Sequence, residues 1–318
     1  TVMYQAGCTT MAAWANAANC AMLAEAFRIH GDEGLCSYYT EEAAKAYRYA
    51  EKQEWTQLDD LQNIGTSGMR GRDFKQMAAA FLYNLTGERS WEDVMAQESV
   101  VKDGKSPVFS KQGRNQFYQI WGTAAYLTCP HERHYPELYA NMKSSVNHQA
   151  DENNVNHMYA RPSRRTANDP RWQTSQNLQM VMLAHYIADN SERRSRLEAA
   201  MYIEAGWGLG RNPANIVEMT GLGERHIVDC YTTGRNDGTP GSHPGQTPFN
   251  GTETWSAGNG GDATIILGRC YPDWYTSGWP RQESFFNIRY MWVNGEFTPR
   301  ETMRGKMALL AYLYGIRE

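Results

Sequence analysis

The chain has 318 residues, 41% of them hydrophobic and 21% charged, which suits one large globular domain with a sizeable core and argues against disorder. Its 31 basic and 35 acidic side chains leave a net charge of -4, so no nucleic-acid footprint is expected and a neutral ligand is the simpler partner. No apolar stretch approaches the roughly 20 residues needed to cross a bilayer, and no membrane partner is expected.

In chain order, the segment from Thr9 to Ile29 places Met11, Trp14, Ala18, Met22 and Phe27 at helical spacing behind a threonine cap, which predicts a buried helix. Thr40-Glu41-Glu42 supplies a cap and an acidic first turn for a second helix through Ala43, Tyr47 and Ala50. Asp73 opens a third through Met77 and Phe81 that Gly87 stops, and Ser90-Trp91-Glu92-Asp93 begins a fourth. Further helices are predicted around Asn115 to Leu127, Pro136 to Val146, Ser175 to Asp189, Glu192 to Trp207 and Met303 to Tyr314. Strand-like alternation is scarce, so the fold class expected is all-α, a single domain over 1–318 built from successive helical hairpins. From Gly206 to Glu296 the helical pattern breaks into Gly, Pro, Asn and Thr with scattered aromatics, and a loop region of that length (206–296) is expected to build a functional rim.

Tryptophan (10) and tyrosine (19) are plentiful beside phenylalanine (9), a balance that suits wet surfaces stacking on flat ligands such as sugar rings as well as ordinary packing. The six cysteines form no CxxC pair, which removes zinc ribbons and thioredoxin-like chemistry. Cys230 and Cys270 bracket the long loop and are either a disulfide or two buried thiols. Sequons at Asn84-Leu85-Thr86 and Asn250-Gly251-Thr252 permit glycosylation in a secretory pathway.

The block Gly208-Leu209-Gly210-Arg211-Asn212-Pro213, followed by Met219-Thr220-Gly221-Leu222-Gly223, resembles the "GRNP...TG.G" block of glycoside hydrolase family 9. Thr9-Thr10 at an Ala-rich helix, Ala78 to Tyr83 before Thr86-Gly87-Glu88, and Trp172-Gln173-Thr174-Ser175 agree with it in order. Pro244-Gly245 through Asn250-Gly251 looks like the family's "PG" loop, and Tyr290 through Glu296 looks like its "Y..NE" ending. The resemblance implies an (α/α)6 barrel, secretion, inverting hydrolysis of a β-1,4-linked glucan or related polysaccharide, no cofactor for the chemistry, and Glu296 as the general acid. Desolvation beside rings such as Trp292 and Phe297 would favour the protonated form that such an acid needs, whereas an ordinary surface glutamate is the plainer account.

Two departures stand against the family pattern. Its "DAGD" motif, source of the base aspartate, is absent; Asp59, Asp60 and Asp73 fit helix starts. Its "HHR" motif is replaced by Cys230-Tyr231-Thr232-Thr233-Gly234-Arg235, where Arg235 alone aligns, with His226 and His243 as neighbouring alternatives. Arg235, Trp172, Tyr290, His243 and His226 are therefore the expected substrate-binding residues, the two aromatics by stacking. A carbohydrate-binding protein that kept the barrel and lost the chemistry is the alternative, and a polysaccharide lyase on a similar toroid a more distant one.

His131 and His134 flank a turn with spacing that suits a metal or a solvated loop. The run Asp151-Glu152-Asn153-Asn154 offers oxygen ligands for a structural calcium ion but lacks a recognisable loop pattern. Nucleotide and zinc-protease motifs are missing. Fewer helices are visible than six hairpins require, and the end helices of an open toroid would expose apolar faces. The N-terminal part of the barrel is thus expected to come from an upstream segment of roughly one hundred residues or more, attached or docked as a fragment of the same precursor; closure of a smaller barrel with a base from Asp59 or Asp60 is the alternative.

Overall fold

The computed structural model describes residues 9–53, 69–110, 116–152, 172, 176–230, 241–248, 295–299 and 302–317, which are mostly helical, with irregular segments such as 209–230, isolated bridges and one two-stranded ladder. Contacts divide the chain into two compact units, Thr1–His148 and Gln149–Glu318.

In the first unit, α1 (Thr10–His30) begins as expected: the Thr9 hydroxyl oxygen accepts from the Ala12 N–H at 3.1 Å. Ala13, Ala17, Ala18, Ala21 and Ala24 are buried along it, and side chains this small let α2 (Glu33–Lys52) and α3 (Gly71–Thr86) approach closely. Trp14 meets Tyr47 edge-on at 4.8 Å, and Tyr47 meets Trp91 of α4 (Arg89–Glu98) in the same way. The second helix starts earlier than its threonine signal: Asp32 caps it through the Leu35 N–H at 2.9 Å, while Thr40 lies inside and donates to the Cys36 carbonyl.

α3 is buried on nearly all sides from Gln76 to Asn84, which makes it the central helix of this unit. The helix expected from Asn115 is shorter, because Phe117–Tyr118 pairs as β2 with β1 (Phe109–Ser110) before α5 (Ile120–Leu127) begins. The fully buried Asp73 carboxylate fixes that junction by accepting from the N–H of Tyr118 at 3.0 Å and Nε2 of Gln119 at 3.1 Å. Asn84 is also buried and donates to the Ala125 carbonyl, so its sequon is closed to glycosylation in the folded chain. α6 (Pro136–Ala150) follows.

In the second unit, α7 (Gln176–Tyr186) and α8 (Ser191–Gly208) form a hairpin, with Asn190 capping α8 through the Arg193 N–H at 2.8 Å. A π-helical segment (Thr302–Met307) runs into α9 (Ala308–Gly315). His185 of α7 reaches Tyr312 of α9, Nδ1 to hydroxyl 2.8 Å, with the rings edge-to-face.

Candidate functional site

The end of α8 is held by one asparagine. Asn212 Nδ2 donates to the carbonyls of Trp207 and Ile216, both at 2.8 Å, and its Oδ1 accepts from the Ile216 N–H. The chain then doubles back: Val217 bridges Leu209 and His226, and the Glu218 N–H donates to the Gly208 carbonyl. Gly208 is a glycine because Trp172 lies on it; a Cβ there would stand 1.9 Å from the indole ring. The backbone N–H of Trp172 donates to the buried Glu218 carboxylate.

Thr220 carries the next tie. Its hydroxyl donates to the His243 carbonyl at 2.5 Å and accepts from the Gln246 N–H at 2.9 Å, while its carbonyl accepts from the Gly245 N–H. Gly221, at φ 74°, brings the backbone against Pro244, where a Cβ would meet the proline side chain at 3.0 Å. The two segments 219–223 and 243–248 are therefore one structural feature.

From there the loop is fastened to the C-terminal helical region. The buried Thr247 hydroxyl lies 2.8 Å from that of Thr302, and the Lys306 ammonium, itself buried, donates to Thr247 Oγ1 at 2.8 Å and to the Pro248 carbonyl at 3.2 Å. Glu296 is half-buried just before this region, and its segment is joined to it by the Thr302 N–H donating to the Thr298 carbonyl at 3.2 Å.

Among the expected binding residues, His243 is exposed on the 243–248 loop, and half-buried His226 has Nδ1 2.8 Å from the Gly223 carbonyl. Arg235 and Tyr290 lie outside the described residues, as do Asp59, Asp60, Trp292, Asn250 and Cys270. Trp172 corrects its expectation: at 0% exposure, packed on Gly208, the ring has no face open to a sugar and is a packing residue. Thr220, Thr247, Thr302 and Lys306 were not singled out; the signal for Lys306 was a lone lysine on the Leu309 and Leu313 face of an apolar helix.

The two turn histidines are neither metal ligands together nor freely solvated. His131 Nε2 lies 3.1 Å from the Asn84 carbonyl, and His134 Nδ1 lies 2.6 Å from the buried Glu92, which also accepts from the Tyr126 hydroxyl. Asp151 is engaged by Arg193 at 3.1 Å, and Asn153 and Asn154 lie outside the described residues. Among the described residues no group of three or more His, Cys, Asp or Glu is arranged to hold a metal ion. Nor is any helix among them long and apolar enough to cross a membrane.

The helical hairpins of the described residues fit an (α/α)6 barrel, and comparison with solved structures agrees on the fold. A single-mutant thermostable endoglucanase from Alicyclobacillus acidocaldarius superposes with a TM-score of 0.68 at 17% identity, covering 97% of this chain and 56% of that one. A GH9 protein of Bacteroides ovatus gives 0.66 at 17% identity, with coverages of 98% and 54%. The catalytic domain of Clostridium thermocellum CelT gives 0.65 at 14% identity, with coverages of 97% and 61%. The profile of glycosyl hydrolase family 9 matches residues 2–252, and the chain belongs to that family. It spans a little over half the length of the first two solved relatives. No curated protein matches it.

Proposed function

We propose that the protein hydrolyses a β-1,4-linked glucan or a related polysaccharide outside the cell, with inversion at the anomeric carbon and Glu296 as general acid. Family membership carries this assignment, since the profile spans most of the chain and solved structures with the same fold include endoglucanases. The position of Glu296 supports its role: half-buried, and backbone-linked at Thr298 to the segment that Lys306 and Thr302 join to the 243–248 loop.

In such a reaction the acid protonates the leaving oxygen while a second carboxylate activates water on the opposite face of the sugar, the two carboxyls lying about 6.5 to 9.5 Å apart. The second carboxylate is assigned to Asp59 or Asp60, or to polypeptide that joins this chain in the active protein. His243, exposed on the loop, is the sugar-binding candidate best exposed among the described residues, with Arg235, Tyr290 and His226 beside it in the assignment.

Glu296→Gln is expected to lower turnover by at least about a hundredfold while leaving oligosaccharide affinity within about twofold. Full turnover in that variant would remove Glu296 from the chemistry. The altered "HHR" region favours a second reading, a binding protein on the same barrel, for which binding without new reducing ends is the signature.

A further inference from the structure

Lys306 is 1% exposed, and an ammonium ion at that depth persists only where its protons are taken up. It donates to the Thr247 hydroxyl at 2.8 Å, the Pro248 carbonyl at 3.2 Å and the Thr247 carbonyl at 3.4 Å, all on one loop. Thr247, fully buried, also meets the Thr302 hydroxyl on the same π-helical segment that carries Lys306. The other end of the loop is held by Thr220 through Gly245 and Gln246. The segment behind Glu296 is joined to Thr302 through the Thr298 carbonyl. The stretches 219–223, 243–248, 295–299 and 302–306 are thus linked by polar ties, those of the Lys306 side chain among them.

We infer that Lys306 is a positioning residue: its buried ammonium fixes the 243–248 loop against the segment that carries Glu296 and so sets the acid relative to the loop that exposes His243. The inference rests on Glu296 being the acid. A cation suits the task because it bonds carbonyls and a hydroxyl at once, and an apolar side chain of the same length would leave those oxygens buried without their donor. Catalysis is sensitive to such placement, since a misplacement of about 1 Å costs on the order of a hundredfold in rate.

The test uses the full chain as wild type, Lys306→Met and Lys306→Arg, with amide hydrogen exchange and steady-state kinetics on a soluble β-1,4-glucan oligosaccharide. In Lys306→Met the Gly245 and Gln246 amides are expected to exchange at least about tenfold faster while those of α8 keep their protection. Its kcat should fall about tenfold or more with KM changed less than about twofold, and Lys306→Arg should recover most of both. If Lys306→Met does not fold, Thr247→Val, which keeps volume and deletes the shared hydroxyl, is expected to give the same pattern more weakly. Unchanged exchange in the loop, loss of protection spread evenly through the second unit, or an arginine variant no better than methionine would overturn the inference. Absence of turnover both from the wild-type chain and from the native protein with any polypeptide that joins it would overturn the hydrolase assignment and the kinetic role together, while loop exchange would still decide the anchoring.

Discussion

Asp73, with no exposed surface, accepts from the backbone N–H of Arg70 at 2.8 Å, from the partly buried Arg70 guanidinium at 2.9 Å, from the Tyr118 N–H and from Gln119 Nε2. Its removal would leave several buried donors unmet, so Asp73→Ala is expected to cost about 3 kcal/mol in urea unfolding, and a cost under about 1 kcal/mol would show that the junction repacks or rehydrates. Gly208 makes a steric demand instead. Gly208→Ala places a methyl inside the indole of Trp172 and is expected to destabilise by about 2 kcal/mol or more. Combining it with Trp172→Leu should cost less than the sum of the single changes; strict additivity would mean the two residues do not meet. Trp172 also shows why the rim was harder to read than the core. A tryptophan just ahead of a helix looks the same in sequence whether it faces a sugar or a glycine, and the deciding atom is the Cβ missing 36 positions later at Gly208.

Helices were legible where apolar period and terminal chemistry coincided. Thr9 before the Ala-rich run and Gly87 after Leu82 and Tyr83 fixed boundaries that the structure reproduces. The sequence hides the start of α2 because Thr40-Glu41-Glu42 carries every mark of a cap, whereas Asp32 stands before Gly34, Cys36 and Ser37, which are weak helix formers. Packing of α2 on α1 and α3 decides the point, and propensity yields to it. Asp32→Ala is therefore expected to cost about 1 kcal/mol and Thr40→Ala less than about 0.5 kcal/mol in thermal unfolding, and the reverse order would restore the later start. The ladder at 109–118 was invisible because two residues per strand are too few to show alternation. In the loop region the family blocks were legible as words, but that Thr220 bonds His243, or that Lys306 reaches across to Thr247, depends on hydrogen bonds spanning up to 59 residues. No local pattern encodes a pairing at that separation.

At the scale of the whole molecule the two units are held by different chemistry, and acid should distinguish them. The first rests on an alanine-lined helix interface, aromatic contacts and polar junctions such as Asp73. The second depends on polar ties between distant positions, among them His185 to Tyr312, a contact between α7 and the C-terminal helix. Burial holds His185 below its ordinary value of 6.5, with Arg194 pushing the same way and Glu198 opposing, and burial raises Tyr312 to about 12. A histidine whose folded value is depressed takes up fewer protons folded than unfolded, so stability rises with pH across that interval. Its contribution is complete above the unfolded value near 6.5 and is lost as pH falls through the lower folded value, where the imidazole must charge inside the α7–α9 contact. Urea unfolding of the full chain, followed by the exchange of α7 and α9 amides, should show those amides losing protection as pH falls below about 6.5 while α3 amides of the first unit keep theirs. His185→Phe retains a ring against Tyr312 but cannot take up a proton, so it should flatten the pH dependence in α7 and α9 even if it lowers stability at neutral pH. An identical pH slope in wild type and His185→Phe would assign the acid sensitivity to another group and leave the His185 contact without a part in it.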